Sequence, residues 1–320
     1  MAEPIDTTPL ISLITINYNQ AVVTCDLLES TRTLTYPRFE IIVVDNGSRE
    51  DPTERIQQGN YPNVKVLVSP ENLGFSGGNN LGIRQAKGDY IFLLNNDTIV
   101  TPDLLEQLLK PFFQNPLVGV SCPKIRYYDQ PTIIQYAGYH PLNEYTGQTW
   151  AVGLMEPDLG QYEQPGPTYF AHGAAMMVSR AVLEKAGSLD DSFFLYYEEL
   201  DWSMRIRRAG FQIYYQPKAL IYHRESMSVG KENAMKVYYH TRNRLWFMRR
   251  NVVGFPLLIF YLYYFGMAIP KALGYYTLRR KPSYLKAVKD AIVWNLKHSV
   301  KQSVVTSPPV AMVANTALEV

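Results

Sequence analysis

Four short apolar runs, rich in β-branched residues, constrain this chain more than anything else in it. They occupy residues 10–16, 40–44, 64–68 and 90–94. Each has the length of a buried strand. Helix-like patterns lie between them, one running to about Thr33 and stopped by Tyr36-Pro37, another ending at Gly88. Strand and helix alternating at this spacing is the signature of βαβ units, and it predicts an α/β fold around a mostly parallel sheet. Three of the runs end in polar clusters: Asn17-Tyr18-Asn19, Asp45-Asn46-Gly47-Ser48 and Asn95-Asn96-Asp97-Thr98. Ligands of open α/β sheets bind outside the carboxyl ends of the strands. Any one cluster is also ordinary turn chemistry, but three at three such ends predict one shared site.

Beyond residue 100 the pattern loosens. Extended pieces at 118–121 and 133–136 lie among Pro, Gly and Tyr, and Pro165-Gly166-Pro167 makes a firm break. Residues 173–178, Gly-Ala-Ala-Met-Met-Val, read as a strand of small, soft residues suited to close backbone approach. A short helix from Arg180 closes at Gly187, a second closes at Gly210, and two short strands follow at 211–216 and 219–222, ending at His223.

Between these helices lies Phe193-Phe194-Leu195-Tyr196-Tyr197-Glu198-Glu199-Leu200-Asp201-Trp202. Acids beside an aromatic wall are costly unless they meet a cation, a proton donor or water. The same surroundings tune a carboxylate into a base that works near neutral pH. The stretch also reads as a plain helix start, with Asp201 paired to Arg205 at i,i+4.

The net charge of +2 hides an asymmetry: from Lys236 to Lys301, 13 Lys and Arg stand against Asp290 alone. Residues 251–270 carry no charge, a length that suffices for a membrane span. Pro256 interrupts it, and basic residues flank both ends, Arg242, Arg244, Arg249 and Arg250 before and Lys271, Arg279, Arg280 and Lys281 after. A single crossing favours asymmetry of charge, so a shallow or hairpin-like element on the cytoplasmic face is expected, with a span still open. Leu285, Val288, Ile292 and Leu296 share one helical face, which suits a helix lying in an anionic membrane surface or an ordinary core pair. The expected division is an N-terminal tail (1–9), an α/β domain (10–235), a basic, apolar helical region that associates with membrane (236–305) and a flexible C-terminal tail (306–320). Met1 to Pro9 resembles no signal peptide, and two isolated cysteines fit a reducing compartment. The tail is too apolar for a nucleic-acid partner.

The strand-end clusters, the run Asn72-Leu73-Gly74-Phe75-Ser76-Gly77-Gly78-Asn79-Asn80, the 173–178 strand and Tyr197-Glu198-Glu199-Leu200-Asp201-Trp202 with Arg205 resemble, in that order, a family 2 glycosyltransferase. The bacterial rhamnosyltransferase-like branch is the nearest in character. The resemblance covers about residues 10 to 225. It implies a GT-A fold and an inverting transfer of a sugar from a nucleotide diphosphate to an acceptor hydroxyl, with Mg²⁺ or Mn²⁺. It implies that Tyr18 and Asp45 hold the nucleobase of a UDP- or dTDP-linked donor, and that Asn72, Gly74, Asn79 and Asn96 lie against nucleotide and sugar. Asp97 and His223 would hold the metal, and Glu199 would be the base. Tyr196, Tyr197 and Trp202 would border the acceptor, a glycan or lipid-linked hydroxyl of cell-surface polysaccharide synthesis. Asn95 stands where the family's Asp-x-Asp motif has its first acid, which leaves one carboxylate for the metal.

Two other functions are compatible with parts of the sequence. Gly74-Phe75-Ser76-Gly77-Gly78 matches the G-x-S-x-G elbow of Ser hydrolases, although Pro70 and Asn72 intrude where a strand should lead in. A donor-binding protein without activity, recruiting partners to a membrane, would keep the nucleotide positions.

Overall fold

The computed structural model describes residues 8–224 and 233–300. These residues form one ten-stranded sheet: β1 (Ile11–Asn17), β2 (Phe39–Asn46), β3 (Val64–Ser69), β4 (Tyr90–Leu94), β5 (Thr98–Val100), β6 (Val118–Tyr127), β7 (Ile134–Tyr136), β8 (Gly166–Thr168), β9 (Ala175–Ser179) and β10 (Gln212–His223). The principal order is β3-β2-β1-β4-β9-β6-β10-β5. Helices α1 (Ala21–Thr31), α2 (Thr53–Gln58), α3 (Gly74–Gln85), α4 (Leu104–Gln114), α5 (Arg180–Ala186) and α6 (Glu198–Arg208) pack around it. Four follow: α7 (Ala234–Asn251), α8 (Gly254–Tyr263), α9 (Ile269–Leu278) and α10 (Pro282–Lys297).

The first four strands are parallel, as the spacing predicts, and their register explains the shared site. Asn17 pairs with Asp45, and Ile14 with both Ile42 and Leu93, so the ends of β1, β2 and β4 come out side by side. Beyond β4 the sheet becomes mixed. β9 runs antiparallel between β4 and β6, while β6 and β10 are parallel to each other. The extended piece expected at 118–121 continues to Tyr127. The two strands expected at 211–222 are one strand, β10, irregular between Gln216 and Leu220.

The Gly- and Asn-rich run is helical from Gly74 onwards. Its small residues serve packing. A Cβ at Gly78 would meet Ile16 at 3.0 Å, and one at Gly82 would crowd Ile14 and lie 3.2 Å from Val44, so α3 sits unusually close to β1 and β2. Ser76 is fully buried within this helix, which removes the nucleophile elbow.

The basic region divides differently from the expectation. α7 belongs to the interior: Leu245, Trp246, Phe247 and Met248 are buried, and Arg242 and Asn243 with them. α10 packs Ala287, Val288 and Ala291 against α7, and Asn295 donates to the Arg242 carbonyl at 2.9 Å. The face expected to lie in a membrane is thus partly core, although Leu296 is 80% exposed. α8 and α9 are joined by a π-helical turn, Tyr264–Ala268, into one 25-residue helix, Gly254–Leu278. At 1.5 Å per residue it is about 37 Å long, and it is long and apolar enough to cross a membrane.

Several of the flanking basic residues are engaged inside the protein. Asp201, 1% exposed, receives Arg205 Nε at 2.9 Å, Arg250 Nε at 3.1 Å and Asn251 Nδ2 at 2.9 Å. Removing one member of a buried ionic network leaves uncompensated charge and costs about 3–5 kcal/mol. Asp201→Ala is expected to lower the unfolding free energy by about 3 kcal/mol, measured by urea denaturation. An effect below about 1 kcal/mol, the usual range of exposed pairs, would show that the network carries no such weight.

Candidate active site

A cavity of about 610 Å³ opens at the carboxyl ends of the parallel strands. β1 is followed by Tyr18 in its wall, β4 by Asn95, Asn96 and Asp97, and β10 ends at His223. α3 contributes Gly74, Phe75 and Asn79. The wall is closed by Tyr196 and by Lys236, Tyr239 and His240 of α7.

Asp97 and His223 face each other, with Oδ1 3.1 Å from Nε2, and both are nearly buried. His223 Nδ1 lies 2.8 Å from the carboxamide oxygen of Gln135, a pure acceptor, so Nδ1 carries a proton. In the neutral ring this directs the Nε2 lone pair towards the carboxylate. Asp97 Oδ1 has no hydrogen-bond donor. A buried carboxylate oxygen without a donor is costly, and an imidazole lone pair aimed at it worsens the balance unless a cation joins them. The pair therefore fits a divalent metal, with Gln135 fixing the ring as outer partners of metal-bound histidines do. Among the described residues no group of three or more His, Cys, Asp or Glu is assembled. A metal here would complete its shell with diphosphate and water oxygens, the habit of Mg²⁺ at nucleotide sites.

Glu199 stands in the first turn of α6. The chain reaches it through Phe194, Tyr196 and Tyr197, all with positive φ (64°, 68° and 74°). Such conformations cost about 1–3 kcal/mol each for residues other than glycine. α7 holds them in place: Asn243 Nδ2 donates to the carbonyls of Phe193, Leu195 and Tyr196 at 2.7–2.9 Å, and Arg242 donates to those of Ser192 and Phe193 at 2.6 Å. Gly74 closes the other side, with the Phe75 N–H on the Phe194 carbonyl at 2.5 Å. The left-handed φ of Gly74, +72°, and the crowding of Phe194 on its Cα leave no room for a side chain.

The Glu199 carboxylate has no side-chain hydrogen-bond partner among the described residues and is partly buried. It lies beside Gly173, whose missing Cβ would be 3.9 Å from both Glu199 Cδ and the Phe75 ring. Burial pushes its pKa up to about 7. Glu198 is buried more deeply, with Oε2 unpartnered. Burial first, and the Glu199 charge second, hold its pKa well above the carboxylate range, so Glu198 is the neutral member of the pair. Glu199 is left as the one that can accept a proton near pH 7.

The other expected positions divide. Tyr18 is 39% exposed and offers an open face at the cavity rim. Asn72 and Asn79 border the cavity but spend their side chains on the fold, Asn72 Oδ1 accepting the Gly74 N–H at 2.8 Å and Asn79 Nδ2 donating to the Phe75 carbonyl at 3.0 Å. Asn96 likewise anchors α1 through Thr24 Oγ1 at 3.0 Å. Asp45 does not reach the cavity. It is 1% exposed and accepts from Asn17 Nδ2 at 2.8 Å and from Ser48 Oγ at 2.5 Å, which ties β1 to β2 behind Tyr18. Tyr196 lines the cavity and stacks on His240 with centroids 4.2 Å apart, whereas Tyr197 turns its ring towards Phe247. Trp202 is not an acceptor contact: it is fully buried, and its indole N–H donates to the Gly187 carbonyl at 2.7 Å.

Sequence reasoning missed several groups. Asn46 donates to the Gly74 carbonyl at 2.9 Å and accepts the Leu73 N–H at 3.0 Å, so it secures the start of α3. His172 lines the cavity and accepts the Ala174 N–H on Nδ1 at 3.1 Å, which leaves its Nε2–H as a donor. Burial pushes its pKa down to about 3 and keeps it neutral. Its position next to the 173–178 strand was the available signal. Gln135, Lys236 and His240 carried none.

Residues 12–187, more than half of the chain, match Glycosyl transferase family 2, and the chain belongs to that family. It is 30% identical over 268 residues to an uncharacterized protein, y4gI, of Sinorhizobium fredii, covering 77% of this chain and 28% of that protein's length. It is 24% identical to an N-acetylglucosaminyl-diphospho-decaprenol L-rhamnosyltransferase of Mycobacterium tuberculosis, covering 75% of this chain and 84% of the relative. Its fold is similar to that of a mannosyltransferase, PcManGT, of Pyrobaculum calidifontis, solved in complex with GDP-Man and Mn2+. That likeness has a TM-score of 0.57 at 16% identity, over 92% of this chain and 77% of the other. The fold is thus the mixed α/β GT-A architecture.

Proposed function

We propose that this chain is an inverting glycosyltransferase that moves a sugar from a nucleotide diphosphate donor to an acceptor hydroxyl. One observation carries the reading: a carboxylate poised near neutrality, Glu199, lies across Gly173 from the Phe75 ring, which lines the strand-end cavity that holds the Asp97–His223 pair. Tyr18 gives the nucleobase a stacking face, and the α3 start lies along the donor. Asp97 and His223 hold Mg²⁺ or Mn²⁺, which when bound would offset the charge gathering on the leaving diphosphate. Glu199 removes the proton from the attacking hydroxyl. The hydroxyl enters opposite the leaving group in a single displacement, so the anomeric centre inverts. Neutral His172 adds a hydrogen-bond donor to the wall without adding charge.

The finer assignments follow the relatives. The mycobacterial relative's name supports an L-rhamnosyl donor and a diphospho-lipid acceptor. The 254–278 helix supports membrane association, and the reading places it at the cytoplasmic face. A thermal-shift panel of UDP- and dTDP-sugars, with and without Mn²⁺, tests the donor site. A donor at a hundred times its Kd is expected to add about 2.7 kcal/mol, and no stabilisation by any of them would end this reading.

The base assignment also fixes a pH profile. Glu199 works deprotonated, so kcat/KM is expected to rise about tenfold per pH unit below about 7 and to level off above it. Stability moves in the opposite sense. A carboxyl whose folded pKa is raised favours the fold in acid and withdraws that support as the pH climbs towards 7. Activity that is flat between pH 5 and 8 would exclude Glu199 as the base.

A further inference from the structure

The 254–278 helix is fastened to the protein along its length. Phe260, Tyr264 and Ile269 are buried, and the π turn, which brings residue i+5 over residue i, keeps Ile269 beneath Tyr264. Tyr264 Oη donates to the Thr241 carbonyl of α7 at 2.7 Å. Towards the C-terminal end, Tyr276 meets Tyr284 of α10 with ring centroids 5.2 Å apart. The opposite side is apolar and open, with Phe255, Leu258 and Leu262 exposed by 67%, 54% and 64%. A crossing would strip the fastened face from α7 and carry the Tyr264 hydroxyl into hydrocarbon.

A second element packs beside this helix. Residues 138–152 form a hairpin bridged at Tyr139–Ala151 and Asn143–Gln148. Its tip is held where α7 and α8 meet: Arg244 Nε donates to the Thr146 carbonyl at 2.9 Å, and Gly147 is so close that a Cβ would lie 2.9 Å from Met248 Sδ and 3.1 Å from the Phe260 ring. Tyr145, at this tip, and Trp150, further along the hairpin, are 50% and 52% exposed. At the other end of the hairpin, Tyr139 stacks on His172 of the cavity. Exposed cations collect towards the far end of the helix, Lys271, Arg279, Arg280, Lys286 and Lys289, and Asp290, paired with Lys286 at 3.0 Å, is the one acid among the described residues from 254 to 300.

We infer that an anionic bilayer surface covers a composite face of the protein. The 254–278 helix lies in the membrane plane with Phe255, Leu258 and Leu262 downward, and the hairpin sets Trp150 and Tyr145 at headgroup level. The partner is a lipid surface because the face joins apolar side chains, two amphipathic aromatics of the kind that prefer the interface, and a basic end. The inference rests on the membrane-associated reading above and adds the mode of contact and the second element. The hairpin then runs from bilayer to cavity, the route that an acceptor carried on a lipid would follow.

Tryptophan fluorescence tests this in the full-length protein. Of the four tryptophans, Trp202 and Trp246 are buried and Trp294 is packed between Trp246 and His298, so Trp150 reports on the surface. Mixing with vesicles of phosphatidylglycerol and phosphatidylcholine is expected to shift the emission to the blue. Lipids brominated near the headgroup should quench it, and Trp150→Phe should remove both signals while co-sedimentation persists. Binding to pure phosphatidylcholine is expected to be at least about tenfold weaker. Leu258→Glu with Leu262→Glu, both at exposed positions, should abolish co-sedimentation. Co-sedimentation without a Trp150 response would overturn the composite face and leave membrane association standing. No co-sedimentation with either vesicle would overturn both.

Discussion

Glu199→Gln is expected to abolish sugar transfer, with a loss of at least the roughly 10²–10⁴-fold that a general base contributes. The amide keeps the size of the side chain but cannot take a proton. The Glu199 carboxylate has no side-chain partner among the described residues, and an amide oxygen can still accept its own backbone N–H, so the variant should unfold at nearly the native midpoint. Donor binding, read by thermal shift, should be unchanged because the nucleotide positions lie on other elements. Glu198→Gln provides the contrast. Glu198 is already neutral and buried, so its amide should retain most activity. The pH profile of that variant should stay close to the native one, because neutral Glu198 places no charge beside Glu199. Near-native turnover by Glu199→Gln would transfer the base role elsewhere.

The second large effect is expected at Asp97. Asp97→Ala should lower transfer by at least about 10²-fold, the usual scale for losing one group that stabilises developing charge. A separate readout locates the cause. In the native protein Mn²⁺ should add to the thermal shift produced by a nucleotide diphosphate. In the variant it should add nothing, while the nucleotide alone still stabilises. Asn95→Asp, which restores the acid found in the family's motif, should tighten metal binding. Undiminished Mn²⁺ enhancement in Asp97→Ala would remove Asp97 from the metal site.

The parts of this architecture that depend on neighbours in sequence were legible in it. The parallel strands β1 to β4 announce themselves through β-branched runs, and their polar ends through turn chemistry. The strand register then aligns those ends. The 193–202 stretch misled where it was read as a continuous wall. A helix distributes it: Glu198, Asp201 and Trp202, spaced i, i+3 and i+4, share the buried face, while Glu199 is turned away by one helical step. Applying that period would have removed Trp202 from the acceptor border. Asp45 misled for a different reason. A carboxylate at a strand end serves a ligand or its neighbours, and the deciding hydrogen bonds, from Asn17 and Ser48, come from separate parts of the chain. Charge in the C-terminal region was the least legible feature. Arg250 looked like a membrane flank, but its partners Asp190 and Asp201 lie far back in the sequence and meet it only in the fold.

The hold of Asn243 and Arg242 on the 192–197 backbone bears on how shortened forms of this protein would behave. An enzyme with an apolar C-terminal helix invites trimming to improve its solubility. Cutting before α7 would release three left-handed aromatic residues whose conformation α7 maintains. Glu199 would then sample many orientations, and the cavity would lose the wall that Lys236, Tyr239 and His240 supply. Such a truncated protein would fail a turnover assay with no substitution anywhere near its base. Solubility is better sought on the outward side of the 254–278 helix, where polar replacements disturb neither α7 nor the cavity.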